Sequence, residues 1–266
     1  MSSRPDPEST RPAVPPRQPL TLPGPSWSGV SSFVTTRQGG VSDAPYTSWN
    51  LGDHVGDDPV RVAENRQRLA ALLPATPLWL QQVHGTDVVD ADGLPEPLYD
   101  VPCGDAAITR TPGKVLAIMT ADCLPVLLAA EDGSALAMAH AGWRGLAAGV
   151  LESTVKAMRR EGSGARLRAW IGPAIGPTAF EVGDDVRIAF VATDPGASTC
   201  FRPASALHKW MADLPALARR RLHAAGVPKV TLSGYCTVTD ADHFFSYRRD
   251  GQTGRFATVA WLNPTD

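Results

Sequence analysis

The sequence has no run of about 18 apolar residues, the length a membrane-spanning helix needs. No apolar stretch follows the arginines of its first 20 residues, so a secretory signal is not expected either. It carries no charge excess: 25 Lys and Arg stand against 27 Asp and Glu, with a net charge of −2 and a pI near 6.3. A nucleic-acid-binding domain would leave a basic footprint, and there is none. Cysteine is scarce. The four residues, Cys103, Cys123, Cys200 and Cys236, are expected as free thiols in a reducing cytoplasm. Histidine is equally scarce, at six residues, and no internal repeat is found.

What is present is globular: 43% hydrophobic and 20% charged over 266 residues, enough chain to bury a core without disulfides. Eight of the 24 prolines fall in the first 25 residues, among Ser, Arg and acidic residues. That composition buries too little to offset its ordering entropy, so residues 1–25 are expected as a disordered tail and residues 26–266 as one domain, a monomer or weak homo-oligomer.

Strands are expected at 32–36, 78–83, 87–91, 115–120, 125–130, 136–140, 229–233 and 256–262. Runs such as VLAIM and PVLLAA suit strands covered on both faces. Apolar residues at three- and four-residue steps predict helices over 145–160 and 205–225, the second capped by Ser205 and stopped by Gly226. Grouped strands followed by helices give an α+β class, a mixed sheet covered by helices.

Three expected strands end in a metal-competent or nucleophilic side chain: His84 in QVHG, Cys123 in TADC and His140 in AHAGWRG. Singly, each reads as a turn histidine or a packing thiol. Together, two imidazoles and a thiolate suit Zn²⁺ and leave a fourth position open, as catalytic zinc requires. The spacings are too long for a zinc finger. Asp122 is a candidate to orient a histidine ligand, and His54 a candidate substrate group. Gly142-Trp143-Arg144-Gly145 runs into the first expected helix, where backbone N–H groups and Arg144 could form an anion site. Arg37 and Arg248 lie in loop-like sequence. Cys103, Cys200 and Cys236 are expected as packing thiols, Cys236 lying near the site.

The segments TTRQGGVSDAPYTSWNLGDHVGDDPVRVAENRQRL, QQVHG, DAAITRTPG, TADCLPVLL, AHAGWRG, IGPAIGPTAFEVGDDV and FFSYRRDGQTGRFA resemble, in order, the motifs of the laccase-domain family. That family is called both multicopper polyphenol oxidase and purine nucleoside phosphorylase. The resemblance runs from about Val30 to Leu262. It implies a single α+β domain with a mixed β-sandwich core flanked by helices. It also implies a metal triad at His84, Cys123 and His140 and a nucleoside pocket matching Arg37, Asn50 and Arg144. Trp49 departs from the leucine that often precedes the asparagine.

Three activities follow from this likeness. In the first, a zinc-dependent purine nucleoside phosphorylase takes adenosine, inosine or guanosine and phosphate, with Arg144 and Arg37 or Arg248 holding the anion. Adenosine deamination and methylthioadenosine phosphorolysis are its side activities. The second is a copper-dependent polyphenol oxidase, for which Cu²⁺ could substitute at the triad, although six histidines are too few for a full multicopper set. The third is a cysteine hydrolase or amidase editing cell-wall precursors, with Cys123 as nucleophile and a histidine as base.

Overall fold

Strands without polar alternation must be covered on both faces, and the molecule is layered accordingly. The computed structural model describes residues 20–159 and 164–264. Its strands are β1 (Thr21–Pro23), β2 (Val30–Thr35), β3 (Val88–Asp90), β4 (Ala106–Thr109), β5 (Leu116–Thr120), β6 (Leu124–Ala130), β7 (Leu136–Ala141), β8 (Leu167–Ile171), β9 (Glu181–Gly183), β10 (Phe201–Pro203), β11 (Lys209–Ala212), β12 (Lys229–Leu232) and β13 (Phe256–Leu262). The α-helices are α1 (Pro59–Ala70), α2 (Trp143–Ala148), α3 (Val150–Met158), α4 (Asp184–Val191), α5 (Leu214–Ala224) and α6 (Tyr247–Asp250). No helix among the described residues is long and apolar enough to cross a membrane.

A six-stranded sheet, ordered β12-β8-β6-β7-β4-β3, faces a four-stranded sheet, ordered β1-β2-β13-β5. The β12/β8 and β3/β4 pairs are parallel and the remainder antiparallel, so the larger sheet is mixed. Between the sheets lie Leu127, Met138 and Trp170 from one side and Ile118, Phe256 and Ala260 from the other. The far face of the six-stranded sheet, with Val126, Leu128 and Ala137, is covered by Leu146, Leu151, Val155 and Leu217 of the helices. The far face of the four-stranded sheet packs Ala117 and Val259 against Trp49, Leu51 and Leu69. The core is therefore a β-sandwich with helices outside it, and β6, and β7 apart from His140, are apolar because neither face meets water.

The expected elements shift in four places. The helix expected from 145 starts at Trp143 and breaks at Gly149, whose φ of +106° separates α2 from α3; its expected end, Arg160, lies outside the described residues. The front of the helix expected over 205–225 is instead β11, paired on both sides, and Leu207 is 85% exposed rather than on a core face. The cap is Asp213, which accepts the Ala216 N–H at 2.9 Å, with Pro215 in the first turn. The strand expected at 78–83 reduces to bridges at Leu78 and Gln81. Residues 1–19 of the expected tail lie outside the described residues, whereas Thr21–Pro23 pairs with β2.

Candidate functional site

Chain direction brings the three candidate ligands to one corner of the sandwich. Cys123 lies in the turn that carries the chain from β5 in the smaller sheet to β6 in the larger. His140 is near the end of β7, opposite Pro125 of β6. His84 sits in the loop before β3. The ligand atoms of His84, Cys123 and His140 all lie within 4.8 Å of one another. Cys123 Sγ is 3.8 Å from His84 Nε2, against roughly 3.6 Å for nitrogen and sulfur sharing a tetrahedral zinc at the usual bond lengths. Among the described residues this is the one group of three or more His, Cys, Asp or Glu placed to hold an ion. The donor set and its spacing fit Zn²⁺, and equally the coordination of copper by nitrogen and sulfur.

The residue that assembles this corner is Asp105, fully buried before β4. Its Oδ1 lies 2.7 Å from His140 Nδ1 and accepts the His84 N–H at 2.9 Å. Its Oδ2 accepts the N–H groups of Val83 at 3.1 Å and Gly85 at 2.6 Å. One carboxylate thus fixes the His140 ring with its proton on Nδ1, leaving Nε2 as the ligand atom, and gathers the loop that carries His84. Gln82 clamps the same loop to β5 through paired bonds with the Met119 backbone, both 2.9 Å. The Asp105 bonds help to hold His84 at φ +61°, and Asp122 is kept at φ +104° by bonds from Thr237, Arg248 and Ile175, conformations that cost a non-glycine residue free energy.

Burial alone would raise the Cys123 thiol, but the charges and hydrogen bonds of His140 and His84 outweigh it and bring the thiol down to about 6. Burial opposes a charged His140, yet Cys123 and Asp105 push it up to about 9. The HAGWRG glycines have a steric reason. A Cβ on Gly142 would lie 2.6 Å from the His84 ring and 3.0 Å from Cys123 Sγ, and one on Gly145 would lie 2.8 Å from the Gly85 carbonyl.

The triad opens into a cavity of about 460 Å³, within the range of small-molecule sites. Arg144, Arg248 and His54 line it, as does Arg255, which the sequence reading did not single out. Arg144 is exposed and stacks on Trp143 at 4.4 Å. Arg248 donates to the Glu181 carbonyl at 2.7 Å and lies over Phe180. Arg37 and Asn50 are not on the wall. Arg37 ties loops together, donating to the Thr47 and Ala241 carbonyls, and fully buried Asn50 spends its amide inside its own loop and on the Arg255 backbone.

Asp122 meets no histidine. Its oxygens accept the Thr237 hydroxyl and the Arg248 N–H, both at 2.6 Å, so the orienting role falls to Asp105. Cys236 belongs to a separate cavity, where it accepts the Gly176 N–H at 3.2 Å. Cys103 is exposed rather than packed, while Cys200 is buried. His208 lies in a turn at φ +60° against Asp184, not on a helix.

Residues 31–263 match the sequence model of the multi-copper polyphenol oxidoreductase laccase family. A Pseudomonas aeruginosa protein named purine nucleoside phosphorylase is 51% identical over 243 residues, spanning 91% of this chain and 98% of its own. The Escherichia coli protein named purine nucleoside phosphorylase YfiH is 50% identical, spanning 90% and 97%. Among solved structures, a Neisseria meningitidis protein has a TM-score of 0.84 at 46% identity, covering 93% of this chain and all of its own. YlmD from Geobacillus stearothermophilus has a TM-score of 0.83 at 34% identity, covering 93% and 97%. With all of the sandwich but β1 and the first residue of β2 inside the matched residues, the chain belongs to the multi-copper polyphenol oxidoreductase laccase family.

Proposed function

We propose that the chain is a zinc-dependent purine nucleoside phosphorylase, converting adenosine, inosine or guanosine and phosphate to the free base and ribose 1-phosphate. Adenosine deamination and methylthioadenosine phosphorolysis are side activities of the same cavity. The observation that carries this reading is the convergence of a His₂Cys ligand set and several arginines on one cavity of about 460 Å³. The names of relatives near 50% identity agree with it. A zinc ion held by His84, Cys123 and His140 would supply positive charge and Lewis acidity in the cavity.

The chain's own residues do the remaining work. Asp105 keeps the His140 proton on Nδ1. The cavity arginines bind and orient phosphate against the sugar. A phosphate oxygen bonds to the anomeric carbon while the glycosidic C–N bond breaks. The electron pair of that bond leaves on the purine, which gains the proton that hydrogen phosphate loses on becoming the ribose ester, and the cavity guanidinium charges stabilise the anion throughout.

One observation favours a second reading. Cys123, His140 and Asp105 are also ordered as nucleophile, base and orienting carboxylate, the logic of a cysteine hydrolase. The same sulfur cannot be ligand and free nucleophile together, so metal content separates the two. A copper oxidase with several coppers would need further ligand clusters, and among the described residues there is the one.

The test is to incubate zinc-loaded protein with adenosine and with inosine, with and without phosphate, and follow bases, inosine and ribose 1-phosphate by chromatography. Phosphate-dependent base release is expected, and Arg144→Ala should depress it more than it depresses inosine formation from adenosine. No nucleoside turnover by protein with stoichiometric zinc would overturn the assignment.

A further inference from the structure

The Asn50-Leu51-Gly52 segment is built around a residue some 200 positions away. Asn50 Oδ1 accepts the Arg255 N–H at 2.8 Å, and the Leu51 N–H donates to the Arg255 carbonyl at 3.0 Å. A Cβ on Gly52 would lie 2.8 Å from Arg255 Cγ and 3.2 Å from its Cβ. Three consecutive residues therefore hold the backbone of Arg255 and make room for its stem. Its guanidinium is held as well: NH1 donates to the Thr253 and Gly254 carbonyls, both at 3.0 Å.

The held side chain is half-buried, lines the cavity and has no carboxylate within ion-pair distance among the described residues. Asp122, whose charge reaches it, has given its oxygens to Thr237 and to the Arg248 backbone. Nε and NH2 make no protein hydrogen bond among the described residues. The Cys123 thiol, in the same cavity, is another acidic group whose charge reaches Arg255. A thiolate committed to the triad leaves a partly withdrawn, immobilised guanidinium without a carboxylate partner, a costly arrangement unless the site receives an anion. The other cavity arginines differ. Both are exposed where Arg255 is half-buried: Arg144 lies on a neighbouring ring, and Arg248, whose NH1 likewise donates to a carbonyl, lies over Phe180.

We propose that Arg255 is the fixed anchor for the phosphate dianion, with Asn50 and Gly52 as its positioning residues. This rests on the phosphorylase reading and names which residue determines phosphate affinity. The free Nε–H and N–H of NH2 form the planar fork that matches two oxygens of a tetrahedral oxyanion. Because Arg255 is immobilised before substrate arrives, little side-chain entropy is lost on binding.

The experiment uses the full-length zinc-loaded protein and reads KM for phosphate, KM for inosine and kcat. Inorganic phosphate binding in the absence of nucleoside is followed by ³¹P NMR, with zinc content and Tm measured alongside. Arg255→Gln should raise the phosphate KM and dissociation constant on the order of 10- to 100-fold, the loss expected for charge-assisted hydrogen bonds. The inosine KM should stay within about 3-fold, zinc content should be kept, and Arg255→Lys should fall between the two. Gly52→Ala keeps the charge but displaces the stem, so it should weaken phosphate in the same direction even if Arg255→Gln folds poorly. Arg219→Gln, on the exposed face of α5, controls for net charge.

Unchanged phosphate binding in folded Arg255→Gln and Gly52→Ala, or a rise confined to the inosine KM, would overturn the assignment. A wild-type protein that turns over no nucleoside yet loses phosphate binding on Arg255→Gln would sink the phosphorylase reading and leave the anion anchor standing.

Discussion

Two corners of the cavity are each organised by one fully buried side chain, a carboxylate at the metal corner and a carboxamide at the arginine corner. Asp105 collects three backbone N–H groups and the His140 ring. Asn50 collects the N–H groups of Gly52 and Arg255 and donates to the Gly52 carbonyl and to Asp57. The difference follows the charge each corner has to present. A carboxylate beside His140 makes the imidazole a better metal ligand and tolerates a cation nearby. A carboxylate in the place of Asn50 would add an anion beside the Arg255 corner and would face Asp57 across 2.9 Å. The neutral amide fixes the backbone of Arg255 without cancelling the charge of its guanidinium.

The largest effect should come from removing a ligand. Cys123→Ala is expected to lose most of its zinc when metal is measured by mass spectrometry after purification, with the far-ultraviolet dichroism and cooperative melting retained. The fold survives because the triad joins loop ends and not the inter-sheet core. Full zinc in this variant, or none in the wild type, would rule out the metal corner.

Exchanging the two organisers tests the contrast directly. Asp105→Asn leaves one acceptor oxygen where two served four donors, and should weaken zinc about 10- to 100-fold, as loss of an orienting partner does, while leaving Arg255 in place. Asn50→Asp should keep stoichiometric zinc but lower stability by about 2 kcal/mol through carboxylate repulsion and a lost donor, read from urea midpoints. If Asn50→Asp loses zinc as readily as Asp105→Asn, the corners are not separate.

The smallest effect is expected at Asp92, a carboxylate remote from the cavity that accepts the Thr109 hydroxyl and the Arg110 N–H, both at 2.6 Å. Its partial burial works to raise its pKa, but these hydrogen bonds and Lys114 outweigh that and hold it below the usual value. A carboxyl depressed in the folded state contributes stability above its unfolded pKa and loses it as pH falls through the folded one. Asp92→Asn should therefore lower Tm at neutral pH by the equivalent of at most about 1 kcal/mol, given its solvent exposure. The gap to wild type should close below about pH 4. A gap independent of pH would mean that the charge of Asp92 plays no part.

How much could be read before folding depends on where each residue's partners lie. The sandwich strands β5, β6, β7 and β13 were legible because unbroken apolar runs demand cover on both faces, whatever supplies it. The front of the expected second helix was not, since β11 is short and owes its conformation to β9 and β10 on either side. The ligand types His84, Cys123 and His140 announced a soft metal, each following an apolar run. Asp105 announced nothing: its partners are 20 to 22 residues back in one loop and 35 residues ahead on β7. Asn50 looked like a pocket residue, and only the return of the chain 205 residues later made it the seat of Arg255. Side-chain chemistry and hydrophobic pattern are local properties, so the sequence determined the layers and the donor set. Which carboxylate orients the metal corner and which arginine stays free for an anion depend on hydrogen bonds between distant segments, and only the packed sandwich decided them.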